Sequence, residues 1–204
     1  MLKETYFQLL EKHTDDKNLI REFWQEIESN YTNPNRHYHT LNHIQNLLNQ
    51  LLAVKADIQK WDTILFTLFY HDLIYSAIKS DNEEQSALIA EKRMQQISVQ
   101  TMVIADCRKQ ILATKSHLEC ADIDTNLFTD ADLSILGADW ETYSIYSQNV
   151  RKEYSIYPDL VYNPGRKKLL KHFLEMTRIY KTDYFYSKLE ELAKCNLLGE
   201  LDTL

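Results

Sequence analysis

The residues of this chain best suited to chemistry are histidines and aspartates that stand in four short groups. Imidazole and carboxylate are protein ligands for borderline divalent cations. Three of only seven histidines fall within seven residues of the segment "NPNRHYHTLNHI". The groups are His37, His39 and His43; the adjacent His71 and Asp72 in "FTLFYHDLIY"; His117 in "ILATKSH"; and Asp130 and Asp132 in "FTDADLSILG". Such a set predicts a divalent-metal site assembled from separate segments.

The adjacent His71 and Asp72 lie in the most apolar stretch of the chain, which is predicted to be a helix. A carboxylate buried there is costly unless an ion or hydrogen bonds compensate its charge. Consecutive helical residues point about 100° apart, yet a long histidine and a short aspartate can reach one ion from adjacent sides. A structural hydrogen bond between the two, tying two helices together, is the alternative.

Each of the other groups also has a structural alternative. His117 at a predicted helix end can interact with the helix dipole, and Asp130 or Asp132 can cap a short helix. The three histidines near residue 40 can be ordinary loop residues. The order His, His-Asp, His, Asp along successive predicted helices is what favours one shared site.

The elements that must position these residues are predicted to be helices. Only three glycines and three prolines occur in 204 residues, and long stretches follow a 3.6-residue apolar period. In the first half of the chain, helices are predicted to begin after Asp15 or Asp16, after Thr40, near Asp57 (continuing through Tyr75), and after Asp81 or Asn82. A further helix runs from Val99 to His117, and a short one in "LFTDADLSILG" is stopped by Gly137 as a C′ residue. The last three are predicted from Asp139 to Tyr157, from Pro164, and after Thr182 to about Cys195. The segment "ECADIDTNLFTD" is predicted to be a polar connector.

Composition narrows the class of protein. Acidic residues outnumber basic ones by 30 to 23, which argues against a broad basic surface for a nucleic-acid polymer. Three widely spaced cysteines without a CxxC pair are typical of reduced thiols. The N-terminal segment has no apolar signal-peptide core, and no apolar run reaches the roughly 20 residues of a membrane span. We therefore expect a cytoplasmic protein without a membrane partner.

The ordered motifs resemble those of the HD superfamily of metal-dependent phosphohydrolases, and more narrowly its small bacterial group of predicted phosphohydrolases. The matching segments are "RHYHTLNHI", "FYHDLIY", "DNEEQSA", "ILATKSH", "FTDADLSILG", "VRKEY" and "GRKKLLKHFLEMTRIY". The resemblance implies an all-α, HD-domain-like helical bundle of roughly eight to ten helices. It implies one domain over residues 1–204, with a core at about 36–180 on which the N- and C-terminal helices pack.

The resemblance also implies a ligand set. One divalent ion would be held by His43, His71, Asp72 and Asp132, with Asp130 as the alternative if the register differs by two. His117 matches the extra histidine of two-metal members, in which Asp72 would bridge both ions. One or two ions are therefore expected, with Mn, Fe, Co, Ni, Zn and Mg not distinguished.

Further roles follow from the same resemblance. "YHTLNHI" is similar to the "YHNxxHA" signature of cyclic-nucleotide phosphodiesterases, which would make His39 the general acid. Glu83 or Glu84 would orient the attacking water or contact substrate, with helix capping as the alternative. Arg36 and Arg151 would contact phosphate, with a solvated surface role as the alternative for each.

The implied activity is hydrolysis of a phosphoester in a small phosphorylated compound, with a nucleotide among the candidates. A non-catalytic metal or nucleotide sensor and an HD-type di-iron oxygenase are the alternatives. No "GYP" extension and no "ED" element follow the ligands, so the cyclic-dinucleotide and guanosine-tetraphosphate classes are not expected. The sequence leaves the substrate and any homo-oligomer open.

Overall fold

The computed structural model describes residues 1–204 and contains ten α-helices, two short 3₁₀ helices and no strand. The α-helices are α1 (Leu2–Leu10), α2 (Lys17–Tyr31), α3 (Leu41–Ala53), α4 (Trp61–Tyr70), α5 (Asn82–Gln96), α6 (Thr101–Ala113), α7 (Ile123–Asp132), α8 (Trp140–Glu153), α9 (Asp159–Glu175) and α10 (Asp183–Thr203). The 3₁₀ helices are Lys55–Asp57 and Leu133–Gly137. The all-α prediction is confirmed. None of the helices combines the length and apolar character needed to cross a membrane.

The chain divides into two compact units, Met1–Thr129 and Asp130–Leu204. The division falls inside α7, whose last residues continue the same helix that begins in the first unit. The expectation of a single domain over residues 1–204 stays a prediction.

Helix α4 forms the centre of the first unit. All of its residues from Thr63 to Tyr70 are buried, and it packs against α1, α3, α5 and α6. A helix that is apolar on every side must be surrounded by other elements. The hydroxyl groups of Tyr6 and Tyr70 lie 2.8 Å apart within this core, so these two buried polar groups are paired with each other.

In the second unit, α10 packs against the 3₁₀ helix Leu133–Gly137 and against α8 and α9. A Cβ atom on Gly137 would lie 2.5 Å from Cβ of Leu189, which explains the glycine by close packing. Gly137 is the last residue of the 3₁₀ helix and Ala138 is its C-cap, so the prediction that Gly137 is the C′ residue is wrong.

Two predicted helix starts are confirmed in atomic detail. The side chain of Asp16 accepts hydrogen bonds from the backbone N–H groups of Asn18 and Leu19, and Thr40 accepts one from the N–H of Asn42. Both caps act over two or three residues, which is why the local sequence predicts them.

The predicted bounds of α4 are wrong at both ends. The helix begins at Trp61 rather than near Asp57 and ends at Tyr70, so the helix does not extend through Tyr75. Just before the helix, Asp124 accepts hydrogen bonds from the backbone N–H groups of Gln59 and Lys60 at 2.8 and 2.7 Å. Asp124 lies too far along the chain for a local pattern to reveal this contact.

Helix α7 was predicted as part of a polar connector, and this prediction is wrong. Asp122 accepts hydrogen bonds from both the backbone N–H and the hydroxyl of Thr125, so the polar residues start a helix.

Four other helices also differ from their predicted bounds. Helix α6 ends at Ala113, α8 at Glu153 and α10 at Thr203, while α9 begins at Asp159 and contains Pro164 in its interior. Here Pro158 occupies the N-cap position.

Candidate metal centre

Three of the predicted ligands lie together. The ligand atoms of His43, His71 and Asp132 are all within 4.8 Å of one another, close enough to hold one metal ion. His43 lies in the first turn of α3, His71 is the C-cap of α4, and Asp132 is the last residue of α7. Both histidines are buried, so their ring nitrogens are shielded from competing water.

Asp72 lies beside the same histidines. Its Oδ2 atom is 3.1 Å from Nε2 of His71 and 3.7 Å from Nε2 of His43. The expectation that Asp72 sits inside a helix is wrong, because α4 ends two residues earlier. A turn therefore aims this carboxylate at the two imidazoles, and the angular separation of consecutive helical residues does not apply.

The tautomer of His71 is set by the backbone. Its Nδ1 lies 3.0 Å from the carbonyl oxygen of Leu68; a carbonyl only accepts, so Nδ1 carries the proton. In the neutral ring, Nε2 then presents a lone pair, the form required of a metal ligand. Nε2 of His43 lies only 3.2 Å away, and two facing nitrogens of this kind need a proton or a cation between them. This donor set fits a divalent cation.

His39 lies at the edge of the same group. Its Nε2 is 4.0 Å from Oδ2 of Asp72, and its ring stacks on Tyr75 with centroids 4.2 Å apart. The ring of Tyr38 packs against the rings of both His39 and His43. His39 is half-buried, whereas His37 is exposed, so the three histidines of one segment occupy three different environments.

Asp130 and Asp132 have separate surroundings. Asp130 is fully buried and accepts hydrogen bonds from the backbone N–H groups of Lys181 and Thr182 and from the Thr182 hydroxyl. Nζ of Lys181 is 3.2 Å from the Asp130 carboxylate. Asp130 thus anchors the start of α10, and the residue grouped with the histidines is Asp132.

His117 is not a member of the three-residue cluster. It has a positive φ of 52°, and its N–H donates to the carbonyl of Ala113 at 2.9 Å, so it closes the turn that follows α6 in a left-handed conformation. The role of His117 at a second metal stays a prediction.

Glu83 and Glu84 face Lys115. Nζ of Lys115 donates to Glu84 and to the carbonyl of Ser80, both at 2.6 Å, and lies 3.7 Å from Glu83. The hydrogen bond from Lys115 holds the pKa of the Glu84 carboxyl below its ordinary value. Both carboxylates lie in the first turn of α5, where the helix dipole favours them. Their proposed contact with water or substrate stays a prediction.

The two arginines predicted to contact phosphate have intramolecular partners. Arg151 donates to Asp159 and to the carbonyls of Tyr154 and Tyr157. Arg36 is buried and donates to the carbonyls of three residues around the histidine cluster, His39, Asp72 and Leu73. Phosphate contact by either arginine stays a prediction.

Two aromatic residues near the cluster were not predicted from the sequence to be site residues. Tyr38 and Tyr75 pack on the histidine rings, and each is close in sequence to a predicted metal ligand. Their aromatic character and their place in "RHYH" and "HDLIY" are the features of the sequence that could have pointed to them.

Comparisons of the chain with protein-family models, with curated proteins and with solved structures find no match.

Proposed function

We propose that this protein is an HD-type, metal-dependent phosphohydrolase that cleaves a phosphoester of a small phosphorylated compound, with nucleotides among the candidate substrates. The observation that carries the proposal is the proximity of His43, His71 and Asp132, with Asp72 beside the histidines. These four residues are the ligand set that the HD resemblance implies.

The four side chains would hold one divalent ion. Two imidazoles with carboxylates suit Mn, Fe, Co, Ni or Zn better than Mg, which prefers oxygen ligands. Such an ion supplies a Lewis acid that acidifies water and offsets negative charge developing on a phosphoryl group.

The residues of the chain provide orientation and a proton. The Leu68 carbonyl holds the His71 ring in the tautomer that presents Nε2. His39, half-buried beside Asp72, is the proposed donor of a proton to the leaving oxygen. Imidazole suits this role because its ordinary pKa lies near neutrality, and the stacked Tyr75 ring limits its rotation.

The proposal is tested with purified protein loaded with Mn²⁺, Co²⁺ or Ni²⁺ and assayed on phosphomonoesters, phosphodiesters and nucleotides. We expect Asp72→Ala to lower turnover by about 100-fold or more, since it removes a proposed ligand and a negative charge from the site. Asp62→Ala is the control, because Asp62 pairs with Lys12 on the surface.

Equal activity in Asp72→Ala and the wild-type protein would contradict the proposal. Tight nucleotide binding without turnover under any metal would instead favour a non-catalytic sensor.

A further inference from the structure

We propose that Arg36 is a positioning residue for the metal site, which holds Asp72 and His39 in place and leaves phosphate binding to other groups. This inference rests on the proposed metal-dependent function.

The guanidinium group of Arg36 joins the two sequence motifs of the site. It donates to the carbonyl of His39 at 3.2 Å on one side. On the other side it donates to the carbonyls of Asp72 at 2.8 Å and Leu73 at 2.7 Å. The proposed acid and the carboxylate beside it are therefore tied to the same rigid group.

The accepting carbonyls lie at the end of a helix, where a positive charge is stabilising. Helix α4 ends at Tyr70, and the carbonyl groups at and just beyond a helix end have no partner inside the helix. That end also carries partial negative charge, to which Asp72 adds a carboxylate. A planar guanidinium can donate to several carbonyls in a fixed geometry, which a lysine ammonium cannot reproduce.

Aromatic rings hold the guanidinium in this orientation. Its carbon lies 4.9 Å from the ring centroid of Tyr31 and 5.5 Å from that of Tyr75. Tyr75 also stacks on His39, so one ring supports both the arginine and the proposed acid. Arg36 is only 8% exposed, which places its donors in the interior rather than facing a dissolved substrate.

If Arg36 positions the metal ligands, its substitution should weaken metal binding. If Arg36 instead contacts phosphate, its substitution should leave metal binding unchanged. Removing residues that orient metal ligands typically weakens metal binding about 10- to 100-fold. In the proposed role, Arg36→Lys keeps the positive charge but loses the fork, so the turn that presents Asp72 is no longer fixed.

The test measures Mn²⁺ affinity by calorimetry for the wild-type protein and for Arg36→Lys, with circular dichroism confirming that each variant is folded. The control is Arg93→Lys, because Arg93 also makes a two-pronged contact, with Glu26, and lies over the ring of Phe23. We expect Mn²⁺ binding to weaken about 10- to 100-fold in Arg36→Lys and to be unchanged in Arg93→Lys.

Tyr75→Leu provides a second variant that leaves the guanidinium in place and removes the ring between it and His39. We expect it to weaken Mn²⁺ binding in the same direction. Wild-type Mn²⁺ affinity in Arg36→Lys, with a raised KM for the phosphorylated substrate, would overturn the inference and make Arg36 a phosphate contact.

The two proposals fail separately. A wild-type protein that binds Mn²⁺ but hydrolyses no phosphorylated compound contradicts the proposed function, while weakened Mn²⁺ binding in Arg36→Lys still supports the positioning role. A wild-type protein that hydrolyses substrate and an Arg36→Lys variant with unchanged Mn²⁺ affinity leave the function standing and overturn the role of Arg36.

Discussion

At the scale of single residues, the histidines of "RHYHTLNHI" show how one residue type acquires different environments within a short segment. His43 is buried in the first turn of α3 and belongs to the cluster that could hold a metal ion. His39 precedes the helix, lies beside Asp72 and packs on Tyr75. His37 is exposed. His39 and His43 lie 4.0 and 3.7 Å from the same oxygen of Asp72, although only His43 belongs to the helix.

We predict that alanine substitutions separate metal binding from proton transfer. His43→Ala and His71→Ala should lower the metal content of the purified protein, since each removes a proposed ligand atom. His39→Ala should leave metal content near normal and lower turnover about 100- to 10,000-fold, the usual contribution of a general acid. Elemental analysis and steady-state kinetics measure the two quantities. Equal metal loss in all three variants would make His39 a ligand.

At the scale of elements, α7 separates a structural aspartate from a candidate metal ligand. Residues two apart on a helix point about 200° apart, so Asp130 and Asp132 face nearly opposite sides of α7. Asp130 binds the start of α10, and Asp132 joins the histidines. One helix thereby presents two acidic residues, two positions apart, to different surroundings.

We predict that substitutions of these two aspartates have opposite consequences. Asp130→Ala should lower the free energy of unfolding by about 3–5 kcal/mol, because it removes a buried carboxylate with several hydrogen bonds, while the folded protein keeps its metal. Asp132→Ala should lose metal affinity with a smaller change in stability. Urea unfolding and metal titration measure both effects. The reverse outcome would move the ligand to Asp130.

At the scale of the whole molecule, each compact unit contains its own buried polar group. The first unit has the Tyr6–Tyr70 hydroxyl pair. The second has Glu200, which accepts two hydrogen bonds from Arg166 and one from Tyr143. Burial acts to raise the pKa of Glu200, but the hydrogen bonds and charge of Arg166, with the Tyr143 hydroxyl, bring it below the ordinary value of 4.5.

We predict an acid-dependent loss of stability from this group. A carboxyl with a lowered folded-state pKa stabilises the fold above its unfolded-state pKa, and this contribution disappears as the pH falls through the folded-state pKa. Glu200→Gln should therefore be less stable than the wild-type protein at pH 7, by about 3–5 kcal/mol. The difference should shrink as the pH falls below about 4.5. Urea midpoints measured from pH 7 to pH 3 check this, and a difference that does not depend on pH would contradict it.

The helices that the sequence predicts well are those whose ends depend on neighbouring residues. Asp16 and Thr40 cap helices through side chains that reach two or three residues ahead. The ends of α4 depend instead on Asp124 and Arg36, which lie far from them along the chain. The first part of α7 was predicted as a connector although Asp122 starts that helix through a local contact with Thr125. Its polar residues suggested a loop because the partner of a residue such as Asp124 lies far along the chain.

The sequence by itself determined that this protein is helical and which residue types offer metal ligands, since periodicity, capping and the scarcity of glycine and proline are local properties. Only the tertiary structure decided that His43, His71 and Asp132 lie close together and that Asp130 anchors α10. It also decided that Arg36 donates to the backbone carbonyl of Asp72. These contacts depend on distances of a few ångströms between segments that lie far apart in the chain. Such distances are set by how the helices pack, which no short stretch of sequence encodes.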